Sequence, residues 1–192
     1  MSIKILGGAA RGYPLAIPRT NSRPTAVMIK RKLFDWRQRM DGHVFIDLCA
    51  GSGGMGFEAL SRGADKVFLN DSMRGAFLTL KENKEGLVEA FDFDPESIVL
   101  HSMDAKNWVD RELKFQLDDS ENAILYLDPP FEDHALYREI LTKLKTLGFK
   151  GELWVESDRL KGMKVAEVSG FFCSIIKTIE QGDLFVVVGK LV

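Results

Sequence analysis

Four consecutive residues, Asp128-Pro129-Pro130-Phe131, set a carboxylate, a conformationally fixed backbone and an aromatic face directly after the apolar run Ala123–Leu127. That set suits an amine attached to a nucleic-acid base. The lone pair of such an amine is conjugated into the ring, which makes it a weak nucleophile. Two acceptors, the Asp128 carboxylate and the Pro129 carbonyl, can hold both amino hydrogens and favour a pyramidal nitrogen. Pro129 and Pro130 fix the backbone that presents them. Phe131 offers a surface on which a flipped-out base can stack.

A second constellation lies upstream. Asp47-Leu48-Cys49-Ala50-Gly51-Ser52-Gly53-Gly54-Met55-Gly56 follows the apolar run Val44–Leu48 and opens an amphipathic segment. Gly51, Gly53 and Gly56 satisfy G-x-G-x-x-G, a turn that lets a ligand approach the backbone while the helix start supplies free N–H donors. Asp71, twenty residues after Gly51, stands where a carboxylate can accept hydrogen bonds from ribose hydroxyls. Ala50, Ser52 and Ser72 flank these positions.

A ribose-binding loop of this kind serves either a nicotinamide dinucleotide or S-adenosylmethionine. Two acids favour the second. Asp47 sits before the glycines, where a carboxylate suits an ammonium group and a pyrophosphate gains nothing. Asp104, followed by Ala105, ends a third apolar run and can accept a hydrogen bond from an adenine amino group while the Ala105 N–H donates to the ring; Asp104 can equally serve as a helix N-cap. Cys49 has no histidine close in sequence to activate it. Cys49 and Cys173, with His43, His101 and His134, form no metal-ligand spacing, so a reduced cytoplasmic setting without metal is expected.

The elements that must position these residues alternate. Strands are expected at Val44–Leu48, Lys66–Asn70, Ser97–His101, Ala123–Leu127 and Gly151–Glu156. Helices are expected over about 54–62, 73–85 with Gly86 as the terminator, 105–113 and 134–147. Phe172–Ile179 and Leu184–Gly189, joined by Glu180-Gln181-Gly182-Asp183, read as a closing hairpin that adds an antiparallel strand. This order predicts an α/β fold, a mainly parallel sheet with helices on both faces. Before it, segments 3–6 and 13–17 read as a small hairpin, and Thr25 can cap a helix running to about Met40.

At 192 residues the chain fits one domain, with residues 1–40 as an N-terminal extension and 41–192 as the main body. No apolar run is long enough to span a membrane. The net charge of −2 hides an asymmetry. Residues 1–40 hold nine basic side chains against the single acid Asp35, leaving the remainder acidic by ten. A basic extension of this kind suits a polyanion, with Arg11, Arg23, Thr25, Lys30 and Arg31 as candidate contacts; a solvated helix face explains the same charges.

These motifs together resemble the RsmD-type methyltransferases of guanine N2 in small-subunit (16S) ribosomal RNA. The resemblance rests on Arg11-Gly12, Arg23-Pro24-Thr25, Leu33-Phe34-Asp35-Trp36, Asp47 to Ala64, Asp104-Ala105 and Asp128 to Phe131. It covers nearly the whole chain. The stretch Glu58-Ala59-Leu60-Ser61-Arg62-Gly63-Ala64 with Arg23-Pro24-Thr25 is its most specific part. It implies a Rossmann-like class I fold with seven strands, S-adenosylmethionine as cofactor and ribosomal RNA or the small subunit as partner; a monomer is expected. Val27 and Met28 depart from the family, which has Asp-Arg there, and Asp71 replaces a more usual glutamate. The motifs themselves leave open a DNA amino-methyltransferase, a protein glutamine methyltransferase or a non-catalytic RNA-binding relative.

Overall fold

The computed structural model describes residues 2–18, 27–113 and 121–192. Arg23, Pro24 and Thr25 lie outside them. The chain opens with strands β1 (Ser2–Lys4) and β2 (Pro14–Ala16), paired antiparallel, and helix α1 (Val27–Trp36). The body continues with β3 (Val44–Asp47), α2 (Gly54–Ser61), β4 (Lys66–Asn70), α3 (Arg74–Phe91), β5 (Ile98–His101) and α4 (Ala105–Trp108), the last running into a π-helical turn at Val109–Leu113. Then come β6 (Ala123–Leu127), α5 (His134–Thr146), β7 (Glu152–Asp158), the short α6 (Val165–Ser169), β8 (Ser174–Gln181) and β9 (Leu184–Lys190).

Seven strands form one sheet in the order β5-β4-β3-β6-β7-β9-β8. All neighbours from β5 to β7 are parallel, and β9 runs antiparallel to both β7 and β8. The expected antiparallel addition is therefore present, with β9 lying between β7 and β8. Helices cover both faces, as strands buried on two sides require. One core gathers Phe45, Val67, Tyr126, Trp154 and Val186 with the hairpin and α1–α3; the other gathers Ile46, Phe68, Leu125, Val155 and Phe185 with α4–α6. Among the described residues no helix is long and apolar enough to cross a membrane.

The N-terminal segment is built into the first core. Ile5, Leu15, Ile29, Leu33 and Phe34 are all fully buried there. Polar groups of α2 fasten it. Glu58 accepts from the Leu6 N–H at 2.7 Å, pairs with Lys30 at 3.4 Å and with Arg62 at 2.8 Å. Ser61 Oγ donates to the Gly7 carbonyl at 2.6 Å and accepts from the Ala10 N–H at 2.9 Å. The stretch that makes the family resemblance specific is thus the clamp that holds the hairpin.

Three expectations are corrected. The N-terminal helix stops at Trp36 rather than near Met40. Gly86 does not end a helix: α3 continues to Phe91 and stops at Asp92, whose φ is 55°. A Cβ at residue 86 would come within 2.4 Å of the Tyr13 hydroxyl, so glycine is there to admit the hairpin. The helix after Asp104 keeps α geometry only to Trp108; the looser turn beyond it buries both Val109 and Leu113.

Candidate active site

A cleft of about 730 Å³ opens at the C-terminal ends of β3, β4 and β6, the edge where open parallel sheets bind ligands. Asp47, Ala50, Gly51, Ser52, Asp71, Ser72, Asp104, Ala105 and all four residues of Asp128-Pro129-Pro130-Phe131 line it. Ile3, Ile17, Pro18, Val27 and Lys30 of the N-terminal segment form a further wall, which sequence reasoning missed.

The loop between β3 and α2 owes its shape to glycine. Gly51 adopts φ 55° and faces open space, while Gly53, at φ 79°, is the N-cap of α2. Gly53 and Gly56 do not line the cleft. A Cβ at residue 53 would strike the Phe57 ring at 2.3 Å, and one at residue 56 would strike Leu69 at 2.1 Å, so both serve close packing beneath the loop. Asp71 crosses to the loop from the end of β4: its carboxylate accepts from the Gly51 N–H at 2.9 Å and the Met73 N–H at 2.8 Å.

Two buried asparagines hold these loops. Asn70 donates to the Leu48 and Met103 carbonyls, both at 3.0 Å, and accepts from the Met103 N–H at 3.2 Å, tying the ends of β3, β4 and β5 together. Asn83 donates to the Ser52 carbonyl at 2.9 Å and exchanges two bonds with Ala16, joining the glycine loop to the hairpin. Neither stands out in the sequence, because single polar residues at a strand end or within a helix carry no pattern. Asp104 is the N-cap of α4, its Oδ1 accepting from the Lys106 N–H at 2.9 Å. It is exposed at the cleft, so the capping and ligand-facing readings coexist.

The cleft floor is acidic. Asp47 is 2% exposed, and burial, then Asp128 and Asp71, raises its carboxyl well above the usual carboxylate range. Among the described residues no cation is paired with it. Burial and the surrounding acids likewise push the Cys49 thiol well up, which keeps it protonated and unsuited to nucleophilic attack. Beside Asp128, Tyr126 donates to Glu156 Oε2, and the Tyr137 hydroxyl lies 2.8 Å from the Glu156 carbonyl and 3.3 Å from that of Pro129.

The expected RNA contacts separate. Arg11 and Arg31 are exposed. Lys30 is corrected: its side chain is 3% exposed, pairs with Glu58 and donates to the Lys4 carbonyl at 3.1 Å, which leaves it holding the hairpin rather than facing outward.

A parallel sheet with one reversed strand, and a glycine loop, the acid after β4 and Asp-Pro-Pro-Phe around one cleft, defines a class I methyltransferase fold. Solved structures agree. The one described as "Putative methyltransferase yhhF from Escherichia coli" aligns over 100% of both chains with TM-score 0.76 at 22% identity. SMU.776, solved in complex with SAH, aligns over 84% of this chain and 48% of its own with TM-score 0.61 at 14% identity. A family profile described as "Conserved hypothetical protein 95" matches residues 3–178, and the chain belongs to that family, the RsmD-type group. Similar relatives include "Ribosomal RNA small subunit methyltransferase D" of Escherichia coli K12, 28% identical over 84% of this chain and 77% of that protein. The protein of the same name from Buchnera aphidicola is 26% identical over 85% of this chain and 82% of its own length.

Proposed function

We propose that the protein uses S-adenosylmethionine to methylate the exocyclic N2 amine of a guanine in small-subunit ribosomal RNA, and works where that RNA is, in the cytoplasm. The observation that carries the reading is the meeting of Gly51, Asp71 and Asp47 with Asp128-Pro129-Pro130-Phe131 across one cleft.

The residues present fit the cofactor. Gly51 leaves open space where a side chain would stand, and Asp71 presents a carboxylate beside it. Asp47, buried and without a described cationic partner, suits the ammonium of a methionine moiety. Asp104 and the Ala105 N–H at the start of α4 suit an adenine edge. When bound, S-adenosylmethionine supplies a methyl group already activated on a sulfonium.

What the protein adds is orientation. The Asp128 carboxylate accepts one amine hydrogen and the Pro129 carbonyl the other. Tyr137 has one hydroxyl proton, and at 2.8 Å the Glu156 carbonyl is its better acceptor, so Pro129 keeps accepting capacity toward the cleft. Phe131, half-buried at the lip, gives the base a surface to rest on. As nitrogen takes the methyl group it must lose a proton, and the Asp128 carboxylate already holds the hydrogen that departs.

The test is transfer of labelled methyl from the cofactor to small ribosomal subunits lacking the modification, with duplex DNA as competitor, followed by nucleoside mapping. Label in N2-methylguanosine is expected. Label in adenine or cytosine, or preference for DNA, would overturn the proposal.

A further inference from the structure

Beside the cleft the proposed mechanism leaves a buried acid, Glu156, unused. Glu156 lies toward the end of β7 as Asp128 follows β6, and the ladder between them, with Leu127 paired to Val155, sets these two residues side by side. On the other side of β6, Asp47 is paired with Tyr126. Three carboxyl groups therefore stand on neighbouring strands around one tyrosine. Glu156 is the deepest, 1% exposed.

The groups that face it can be named from each packed element. From β6 come Tyr126, which donates to its Oε2, and Asp128; from β3 comes Asp47. From α5 the Tyr137 hydroxyl reaches its main-chain carbonyl, and on β9 its partner is the apolar Val186. Among the described residues no lysine, arginine or histidine pairs with it. A charge buried without a cation and beside two other acids is far costlier than a neutral acid in the same place. Burial first, then Asp128, raises the Glu156 carboxyl well above the usual range, in agreement.

We propose that Glu156 is a positioning residue for Asp128: as a neutral acid bonded to Tyr126 it backs the end of β6 and leaves Asp128 to carry the negative charge. Asp128 must take up the proton that the amine loses, so it must be ionised. A second anion directly behind it would oppose that, and a hydrocarbon there would leave the Tyr126 hydroxyl without its acceptor. A protonated carboxyl avoids both. The inference rests on the proposed role of Asp128.

The test compares wild type, Glu156→Gln and Glu156→Leu. The infrared difference spectrum of wild type minus Glu156→Gln at pH 8 should show a buried carboxylic-acid C=O band, one to which Asp47, present in both proteins, does not contribute. With RNA substrate, Glu156→Leu should lower kcat at least about tenfold with cofactor affinity unchanged, since a small displacement of an orienting group is costly. Glu156→Gln should restore turnover with the acidic limb of the pH profile unmoved. If no acid band is present, or if Glu156→Gln moves the acidic limb to lower pH as removal of a neighbouring charge would, the proposal is wrong. The infrared measurement needs no activity and no leucine variant. A protein that methylates no RNA but shows the band would remove the functional reading while keeping the neutral acid.

Discussion

In the proposed reaction the Asp128 carboxylate meets the amine, and its removal should separate chemistry from binding. Asp128→Ala is expected to cut kcat by about a hundredfold or more, the usual scale for a group that handles a proton in the transition state, while calorimetry shows cofactor affinity little changed. Asp47 makes a different prediction. Burial, reinforced by Asp128, raises its carboxyl, so the ligand-free protein keeps a proton there at pH values where the unfolded chain has lost it. That contribution to stability is full below the unfolded value and is lost as pH rises through the folded one. A cationic ligand beside Asp47 lowers its hold on the proton, so cofactor binding should release protons. Titrations in buffers of different ionisation enthalpy measure this, and Asp47→Asn should abolish the buffer dependence. Asp47, Asp104 and Asp128 are legible in the sequence because each acid follows an apolar run beside a recognisable turn. Glu156 follows such a run too, but no glycine or proline motif beside it draws notice.

Helix α3 shows how an element can be read correctly in kind and wrongly in extent. Its periodicity is visible; Gly86 looks like a terminator because chain reversal commonly uses glycine, whereas the actual constraint comes from Tyr13, far away in sequence. A double-mutant cycle exposes it. Gly86→Ala alone gains about 1 kcal/mol of helix propensity but drives a methyl into the Tyr13 hydroxyl, whose ring is held edge-on against Phe91 at 5.4 Å. It should destabilise the protein in denaturant melts. In a Tyr13→Phe background the nearest remaining atom is 3.6 Å away, and the same substitution should stabilise. An unchanged sign would show that Tyr13 simply moves aside. The alternation of strands and helices from β3 to β7, by contrast, is readable, because hydrophobic period is a local property; the five-residue helix Val165–Ser169 is too short to show one. The clamp made by Glu58 and Ser61 is not, since the bonds that fasten the hairpin reach residues about fifty positions away.

For the whole molecule the question is where the basic surplus of residues 1–40 goes. Part of it is used internally: Lys30 on Glu58, Arg37 on Glu152 at 2.5 Å, and Lys32 on the Glu180 carbonyl at 2.8 Å. Arg11 and Arg31 remain outward. Replacing both by alanine should weaken RNA binding and reduce the slope of log affinity against log salt by about one for each phosphate no longer neutralised. Lys30→Ala should leave that slope alone and lower the melting temperature instead. The surplus is countable in the sequence, but its division is not, because partners such as Glu152 sit more than a hundred residues downstream. The placement of β9 between β7 and β8 also sets an order of assembly during synthesis. Ser174–Gln181 leaves the ribosome with no neighbour to join until Leu184–Lys190 has followed it. Since α1 packs on both of these strands, a stop codon after Asp183 would remove one strand, strand its partner and unseat the helix that walls the cleft. The nascent protein therefore has no finished cleft until β9 has emerged.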